Sequence, residues 1–584
     1  RARLSVLARE LRGEFPADYP AAAAWMPRLS SLQEDLVGGS RPALYVLLGA
    51  VGFVLLIACA NVANLLLARS TSRQREIGVR RALGADRGRL VRQMLTESVF
   101  LSLIGGGLGL AIAVWGVDLL LRLAPASLPR AVEIHADLPV LGFALLLSVV
   151  TGVLFGVAPA LHSSRSGLSQ TLKEAARGSS VGRERNRLRG LLVVGEFALA
   201  LVLLIGAGLL LRSFWRLQNV EPGFDSENVV TAAVWLPQPN LPETGPYFKH
   251  PPRALLYSKI LAGLERIPGV TRAGGVSALP LSGQRPTNAF TVEGRAPEAG
   301  GTATAESFNA SPGYFEAMRI ALVRGRLFTD ADNESAAPVA LINEAFARRF
   351  FAGEDPIGRR LLPRAIRGAR PAAATIVGIV KDVKTQSLDG DVRPQVYRCL
   401  WQSSNLMLAF VVKTAGAVPG IAAAIGREAR AADPDLPVFS ARTMDEVVSA
   451  AVAPRRFAMD LLALFAVVAL CLAAVGVYGV MAYAVSQRTH EIGIRVALGA
   501  RRSDVFGLVL RQGLVLTVCG IALGLAAAAA LTRGLSALLF DVSPRDPLTY
   551  IGLAALLCLV AIIACCVPAR RAMRLDPMTA LRAE

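Results

Sequence analysis

The feature that most constrains this chain is a short block that occurs twice. Residues 75–87 read Arg-Glu-Ile-Gly-Val-Arg-Arg-Ala-Leu-Gly-Ala-Asp-Arg, and residues 490–502 read His-Glu-Ile-Gly-Ile-Arg-Val-Ala-Leu-Gly-Ala-Arg-Arg, 415 positions later. The same offset continues without a gap well beyond the two blocks, and each block lies between two long apolar runs. A repeat of this kind predicts a duplicated unit, in which a short basic amphipathic helix joins two membrane spans.

The apolar runs indicate a membrane protein. Apolar residues make up 53% of the chain and charged residues 18%, which is too apolar for an ordinary soluble protein. A helix needs about 20 apolar residues to cross about 30 Å of hydrocarbon. Runs of this length lie at 43–68, 95–121, 139–161, 190–211, 457–484, 508–532 and 547–568. The sequence therefore predicts an α-helical bundle of seven spans with an internal repeat.

The basic residues predict how these spans are oriented. The net charge is +19, and most of the arginine clusters flank apolar runs, which favours membrane topology over nucleic-acid binding. Because positively charged linkers stay in the cytoplasm, the basic linkers 69–94, 162–189 and 485–507 and the C-terminal tail are predicted to be cytoplasmic. The start of the chain, the linkers 122–138 and 533–546, and the long polar segment 212–456 are then outside.

The long polar segment is predicted to be a mixed α/β domain. Strand-like runs lie at 228–235, 338–342, 374–384 and 406–414, and helical patterns at 252–266, 343–351 and 419–432. The first repeat is predicted to consist of a remnant of an outer domain (1–40) and a transmembrane unit of three spans (41–165), with an amphipathic helix at 73–87. A basic linker (166–189) then leads to the span that opens the second repeat (190–211) and to the outer domain (212–456). The second transmembrane unit has three spans (457–570), with an amphipathic helix at 488–502, and a cytoplasmic tail (571–584) follows it.

The repeated amphipathic helices are the main candidate for a binding site. Their shared positions are Glu76, Ile77, Arg80, Arg81 and Leu83 in the first copy and Glu491, Ile492, Arg495 and Leu498 in the second. A helix that only lies on anionic lipid needs amphipathicity alone. Recurrence of specific residues favours docking into the groove of a partner protein, which requires fixed anchors along one face.

These blocks resemble the FtsX-like permeases of ABC transporters, the class that contains MacB. Two stretches of the polar segment, 312–318 (Pro-Gly-Tyr-Phe-Glu-Ala-Met) and 343–350 (Asn-Glu-Ala-Phe-Ala-Arg-Arg-Phe), are similar to the MacB-like periplasmic core domain, as is 377–383 (Val-Gly-Ile-Val-Lys-Asp-Val). The duplication resembles duplicated orphan permeases of the ADOP type. The resemblance implies that the repeated blocks are coupling helices that meet an ATPase subunit. The first half lacks its opening span and most of its outer domain, so we expect the chain to be a fragment.

The resemblance also implies a function and its partners. The expected protein is the permease subunit of an ABC system in a bacterial inner membrane, which couples ATP hydrolysis by a separate ATPase to movement of the outer domain, for efflux or export. A periplasmic adaptor or outer-membrane protein is a further expected partner. Two alternatives stay open: a signalling permease that controls a periplasmic cell-wall enzyme, and a secondary transporter, against which the sparse membrane charges and the large outer domain argue.

No catalytic, metal or cofactor site is predicted. The sequence has no Gly-Lys dipeptide and hence no Walker A loop, so any ATP would bind to the partner. Its four histidines are scattered, and the acidic stretch 330–334 lacks the glycine and glutamate of a calcium loop, which favours a solvated turn. Cys399 is the single cysteine of the polar segment, so no disulfide is expected within it.

Two features inside the spans are further candidates. The equivalent pairs Gly105/Gly109 and Gly520/Gly524 predict close helix packing, because glycine lets helix backbones approach each other in lipid. Glu196 is a functional candidate, since acidic residues inside spans are costly. The alternative for Glu196 is that its side chain simply reaches the cytoplasmic interface near Arg189.

Overall fold

A computed structural model describes residues 2–15, 29–32, 34, 38, 41–72, 87–123, 137–165, 180–239, 245–294, 303–363, 372–487, 494 and 501–573. The chain divides into two compact units. One unit, called the outer domain below, comprises Arg1–Asp35 and Leu217–Pro454. The other, called the membrane unit, comprises Leu36–Arg216 and Arg455–Glu584.

The helices are α1 (Ala2–Glu14), α2 (Arg41–Ser72), α3 (Arg87–Leu123), α4 (Leu138–Arg165), α5 (Ser180–Gln218), α6 (His250–Glu265), α7 (Pro312–Ala317), α8 (Glu344–Phe350), α9 (Ile421–Ala432), α10 (Met444–Gln487), α11 (Arg502–Leu531) and α12 (Pro547–Met573), with a 3-10 helix at Thr532–Leu538. The strands are β1 (Val229–Trp235), β2 (Val270–Val276), β3 (Thr287–Val292), β4 (Ala303–Ala310), β5 (Leu322–Gly325), β6 (Val339–Asn343), β7 (Arg360–Pro363), β8 (Ala374–Val380), β9 (Gln395–Cys399), β10 (Met407–Thr414) and β11 (Val438–Thr443).

Each of the seven predicted apolar runs is helical in the membrane unit. In hydrocarbon a helix is favoured because it satisfies its own backbone hydrogen bonds. Within the part of the chain that the structure describes, six helices are long and apolar enough to span a membrane, and α4 contributes a shorter apolar stretch, Leu138–Val153. The predicted helical bundle is thus confirmed, with seven spans as an approximate count.

The α5 helix forms the centre of the membrane unit. It is the most enclosed of the candidate spans, with 72% of its apolar window buried. Its side chains Phe197, Leu201 and Ile205 are fully buried and belong to one apolar cluster with residues of α10, α11 and α12. A span that is apolar on all sides and enclosed by other helices is the one whose position the remaining helices fix most strongly.

The outer domain has the mixed α/β fold that the sequence predicts. Its eleven strands form one sheet system in the order β11-β1-β10-β2-β4-β3-β7-β8-β6-β9, with β5 on β8 and a further pairing of β4 with β9. The β4–β9 pairing closes a ring of six strands, β4, β3, β7, β8, β6 and β9. The parallel pairs in this ring, β4–β9 and β6–β8, lie among antiparallel neighbours. Closure removes free strand edges from this part of the sheet.

Two apolar cores fill the outer domain. In the first, α6 and α9 cover the open sheet and bury Tyr257 and Ile425 against Phe410 of β10. In the second, Phe346 and Phe350 of α8 pack against Phe290, whose ring centroid lies 4.9 Å from that of Phe346 and 5.1 Å from that of Phe350. These aromatic contacts anchor α8 to the closed ring of strands.

Candidate functional site

The two predicted coupling segments lie between consecutive long helices. The first follows Ser72, where α2 ends, and precedes Arg87, where α3 begins; the second lies between Gln487 and Arg502 in the same way. The site residues Glu76, Ile77, Arg80, Arg81, Leu83, Glu491, Ile492, Arg495 and Leu498 all lie outside the described residues. Their assignment therefore stays a prediction, and Ile494, a described residue of the second block, is helical and exposed.

The glycine pair of the second repeat lies where α11 packs against α5. A Cβ atom on Gly520 would lie 2.5 Å from Phe197 Cβ and 3.1 Å from the carbonyl oxygen of Val194. A Cβ on Gly524 would lie 3.0 Å from Leu201 Cβ. Close approach of the two helices at these positions therefore depends on the absence of a side chain.

The glycine pair of the first repeat has different surroundings from those expected. A Cβ on Gly105 or Gly109 would meet no described atom within 4 Å, whereas one on the neighbouring Gly106 would lie 3.2 Å from Ser148 of α4. The physical reason is the partner helix. In the second repeat the glycine face meets α5, whereas no described helix supplies an atom within 4 Å of a Cβ at Gly105 or Gly109. Packing at Gly105 and Gly109 is thus not present among the described residues.

A buried polar cluster joins α2, α5 and α10. Glu196 is only 1% exposed, and it accepts a hydrogen bond of 3.1 Å from Asn64 Nδ2. Asn61 Nδ2 donates to the carbonyl oxygen of Leu472 at 2.9 Å. A Cβ on Gly476 would touch Glu196 Oε2 and would lie 2.7 Å from Asn61 Oδ1. Glu196 is therefore enclosed by three helices. Its side chain does not extend to the cytoplasmic interface, which was the alternative considered for this residue.

Among the described residues, two cavities lie near Arg189. The smaller, of about 20 Å³, is lined by Asn61, Asn64, Gly476 and Tyr483 together with Arg189. The larger, of about 370 Å³, lies between α5, α10 and α11. The guanidinium carbon of Arg189 lies 4.0 Å from the ring centroid of Tyr483, a cation–π contact that fixes this end of α5 to α10.

The opposite end of α5 is held by the segment between α11 and α12. Arg212 pairs with Asp546, and Arg216 Nη1 lies 2.6 Å from Asp541 Oδ2. Ser213 Oγ accepts a hydrogen bond of 2.7 Å from the backbone N–H of Phe540. We call this set of contacts the α5 clamp. It ties the last turns of α5 to the rest of the membrane unit.

The pKa of Asp546 reflects this clamp. Hydrogen bonds from Thr549 and the charge of Arg212 lower the pKa of the carboxyl group below its usual range. Thr549 Oγ1 donates to Asp546 Oδ2 at 2.6 Å and the Thr549 backbone N–H donates at 3.0 Å. Asp546 therefore caps the first turn of α12 while it pairs with α5.

The helix α10 begins with a reciprocal cap and crosses the unit boundary. Thr443 Oγ1 accepts from the Glu446 backbone N–H at 3.2 Å, and Glu446 Oε2 accepts from the Thr443 backbone N–H at 3.0 Å. From there the helix continues for 44 residues and contains Pro454, the last residue of the outer domain. The other boundary, between Arg216 and Leu217, falls inside α5. Both boundaries near Arg216 and Pro454 thus lie within helices.

The MacB-like stretches of the outer domain occupy its tightest contacts. A Cβ on Gly274 would lie 2.5 Å from the backbone nitrogen of Tyr314, so α7 can approach β2 only because residue 274 is glycine. Asn343 Oδ1 accepts from Phe346 N and from Gln395 N, both at 2.9 Å, which caps α8 and binds it to β9. These residues stabilise the fold of the outer domain.

The acidic stretch 330–334 forms a turn stabilised by an ion pair. Asp332 accepts 2.7 Å and 2.8 Å hydrogen bonds from the Arg326 guanidinium and a 2.9 Å bond from the Thr329 backbone N–H. Burial alone would raise the pKa of Asp332, but these bonds outweigh it and lower the pKa. Within the described part of the chain no group of three or more His, Cys, Asp or Glu residues could hold a metal ion.

Comparison with known families covers most of the chain. A family model for the FtsX-like permease C-terminal region matches residues 48–168 and again 463–577, and a model for the MacB-like periplasmic core domain matches residues 192–428. A membrane unit matched twice by a permease family, together with this outer domain, defines the permease component of an ABC transporter. The chain belongs to the MacB/FtsX-like permeases. The two FtsX matches also confirm the internal duplication.

Curated relatives are 26% to 29% identical to the chain over the residues that match. The pyoverdine export ATP-binding/permease protein PvdT of Pseudomonas putida is 29% identical over 272 residues, which cover 45% of this chain and 40% of PvdT. The macrolide export ATP-binding/permease protein MacB of Neisseria meningitidis is 26% identical over 291 residues, which cover 48% of this chain and 43% of MacB. The chain thus spans about two fifths of the length of these relatives.

Two solved structures illustrate the similarity of part of the chain to known domains. The periplasmic region of MacB from Actinobacillus actinomycetemcomitans matches with a TM-score of 0.26 and 13% identity, covering 40% of this chain and 95% of that one. The extracellular domain of the ABC-type transporter YknZ from Gram-positive bacteria matches with a TM-score of 0.24 and 15% identity, covering 36% of this chain and 100% of that one.

Proposed function

We propose that this chain is the permease of an export-type ABC system in a bacterial inner membrane, driven by a separate ATPase subunit. The relatives PvdT and MacB are named as export ATP-binding/permease proteins, which supports an export role. A phosphate-binding Walker A loop needs a Gly-Lys pair, and the 584 residues contain none. A partner would therefore bind ATP, and this chain would have no enzymatic activity of its own.

The observation that supports the mechanism is the path of the chain: both boundaries between the two units, at Arg216/Leu217 and at Pro454, fall within helices. A helix of 44 residues such as α10 is about 66 Å long at 1.5 Å per residue. Pro454 has no backbone N–H, so one hydrogen bond of the α10 ladder is missing at the unit boundary, and the ladder is regular on either side of it. The α5 clamp at Arg212 and Arg216 keeps the second connection aligned with the membrane unit.

In this mechanism the two coupling segments receive the force. ATP-driven closure of the ATPase dimer pushes residues 73–87 and 488–502, and the attached spans tilt as rigid rods. The second segment directly joins α10 to α11, so its displacement reaches the outer domain through α10. A periplasmic adaptor or an outer-membrane protein would respond to that movement. Substrate need not pass through a channel in the membrane unit.

The test is affinity isolation of the intact protein from native membranes, followed by identification of the proteins that accompany it. Co-isolation of an ABC ATPase together with an efflux adaptor or outer-membrane protein is the expected result. An ATPase accompanied by a cell-wall hydrolase would replace export with the signalling alternative. Isolation without any ATPase, under conditions that preserve other membrane complexes, would contradict the proposal and favour a secondary transporter.

A further inference from the structure

The carboxyl group of Glu196 lies in surroundings that do not suit a negative charge. The residue is 1% exposed inside the membrane unit, and among the described residues its Oε2 atom has no hydrogen-bond partner. An ionised carboxylate transferred from water into such a site costs several kcal/mol unless it is paired. Asn64 supplies a single donor, and it goes to Oε1 rather than to Oε2.

The orientation of Asn61 decides what faces Oε2. The Asn61 amide nitrogen is fixed by its 2.9 Å hydrogen bond to the Leu472 carbonyl oxygen. Asn61 Oδ1 consequently points the other way, and it shares with Glu196 Oε2 the space over Gly476, where a side chain would meet both oxygens. Two oxygen acceptors that border the same buried space repel unless a proton lies between them.

We propose that Glu196, Asn61 and Asn64 form a proton-binding site that links α2, α5 and α10. The Glu196 carboxyl group holds the proton on Oε2 and donates it to Asn61 Oδ1, while Oε1 accepts from Asn64 Nδ2. The neutral acid then bonds to the side chains of both asparagines and joins three helices. Loss of the proton leaves two acceptors beside the same buried space and favours separation of α2 from α5 and α10.

The neighbouring charged groups are few. On its own helix, Arg189 lies seven residues before Glu196, two helical turns away, and it lines the small cavity next to Asn61 and Asn64. From α10 the titratable residue of that cavity is Tyr483, over which Arg189 lies, and from α11 Arg511 lines the larger cavity. A volume of about 20 Å³ accommodates about one water molecule.

Infrared spectroscopy of the full protein in lipid nanodiscs tests the proton directly. A protonated carboxyl group has a C=O stretch above the amide I band, separate from the carboxylate bands. We expect such a band at neutral pH in the wild-type protein and its loss in Glu196→Gln. The matched control Glu97→Gln, an acid in α3 outside the cluster, should leave the band unchanged.

Thermal unfolding tests the linkage between the proton and helix packing. The Glu196→Gln variant keeps the shape and supplies an amide donor in place of the acid, so its unfolding midpoint should match that of the wild type at neutral pH. As the pH rises, the wild-type midpoint should fall while the variant's stays flat, because the glutamine has no proton to lose.

Two results would overturn the proposal. The first is the absence of a Glu196-dependent carboxyl band at neutral pH, which would mean that the carboxylate is ionised in the packed state. The second is a sodium-dependent rise in the wild-type midpoint that Glu196→Gln abolishes, which would assign the site to a metal cation. Neither readout depends on ATPase activity, so the proposed transport function can fail while this site stands.

Discussion

Gly520 lies directly against Phe197, so that a methyl group on the glycine would be placed 2.5 Å from the Cβ atom of the aromatic side chain. The neighbours at that distance belong to the backbone and Cβ positions of α5, which cannot rotate away. We expect Gly520→Leu to lower the midpoint of thermal unfolding in detergent, at an overpacking cost of about 1–3 kcal/mol.

The first repeat provides the matched control for that substitution. Gly105 occupies the equivalent position, and a Cβ there would meet no described atom within 4 Å. Gly105→Leu should therefore leave the unfolding midpoint close to that of the wild-type protein. Equal destabilisation by the two substitutions would show that the Gly105 face is packed in the intact protein, contrary to the arrangement described above.

The pKa of Asp546 predicts a stability change in acid. Because hydrogen bonds from Thr549 and the charge of Arg212 lower this pKa, the carboxylate contributes stability above the ordinary carboxyl range and loses it as the pH falls through the lowered pKa. Asp546→Asn should lower the unfolding midpoint at neutral pH. The free energy of unfolding should fall by less than about 1 kcal/mol, because the pair lies close to solvent. Unfolding curves over a pH series should then converge for the variant and the wild type in acid, and a constant difference would contradict this account.

Burial of Cys399 changes how membrane topology must be tested. Its thiol is 1% exposed and donates a 3.2 Å hydrogen bond to the Asp332 carbonyl oxygen, and burial raises its pKa to about 12. A membrane-impermeant thiol reagent added outside should therefore leave Cys399 unmodified until the outer domain unfolds. Rapid labelling of Cys399 in the folded protein, measured by mass spectrometry, would contradict its buried position.

Labelling at two engineered sites tests the orientation itself. The exposed outer-domain residue Glu334 and the linker residue Ser179 are predicted to lie on opposite sides of the membrane. In a background without other reactive cysteines, Glu334→Cys should react with reagent added outside intact cells. Ser179→Cys should react only after the inner membrane is opened. The reverse pattern would overturn the topology inferred from the charges.

The helices and several strands were predictable because their patterns are local. The seven continuous apolar runs are helical, because a helix satisfies its own backbone hydrogen bonds in lipid. In the outer domain the predicted runs at 228–235 and 406–414 correspond to β1 and β10, which are rich in buried β-branched and aromatic residues. Helical periodicity likewise located α6, α8 and α9 within two residues of each end.

The remaining strands and contacts depend on distant partners. The strand β2 contains Gly274 and Gly275, which lower its strand propensity, and it forms because β10 pairs with it and α7 packs over it. The cluster around Glu196 brings Asn61 next to Leu472, 411 positions apart, so no sequence pattern reveals it. The glycine pairs themselves are visible in the sequence. Whether another helix lies against each pair is not, because that depends on how distant segments pack.

The central claim is that the duplicated blocks receive force from an ATPase. Glu76 and Glu491 open the two predicted helices, and Arg80 and Arg495 follow four residues later on the same face. Reversal of both acids in Glu76→Lys/Glu491→Lys should leave membrane insertion intact. A mismatched charge in a desolvated interface weakens binding by about 2–5 kcal/mol. Each single variant should weaken ATPase binding less than the double variant, because one of the two contacts remains.

The control for this double variant is Asp137→Lys/Asp391→Lys, which changes the net charge equally at exposed positions predicted to lie outside. The decisive measurement is ATPase co-purification together with ATP turnover in nanodiscs, for the wild type and both double variants. The account predicts that Glu76→Lys/Glu491→Lys abolishes partner binding and stimulated turnover while the control retains both. Full binding and turnover in Glu76→Lys/Glu491→Lys would show that the blocks only lie on lipid, and would contradict the coupling mechanism.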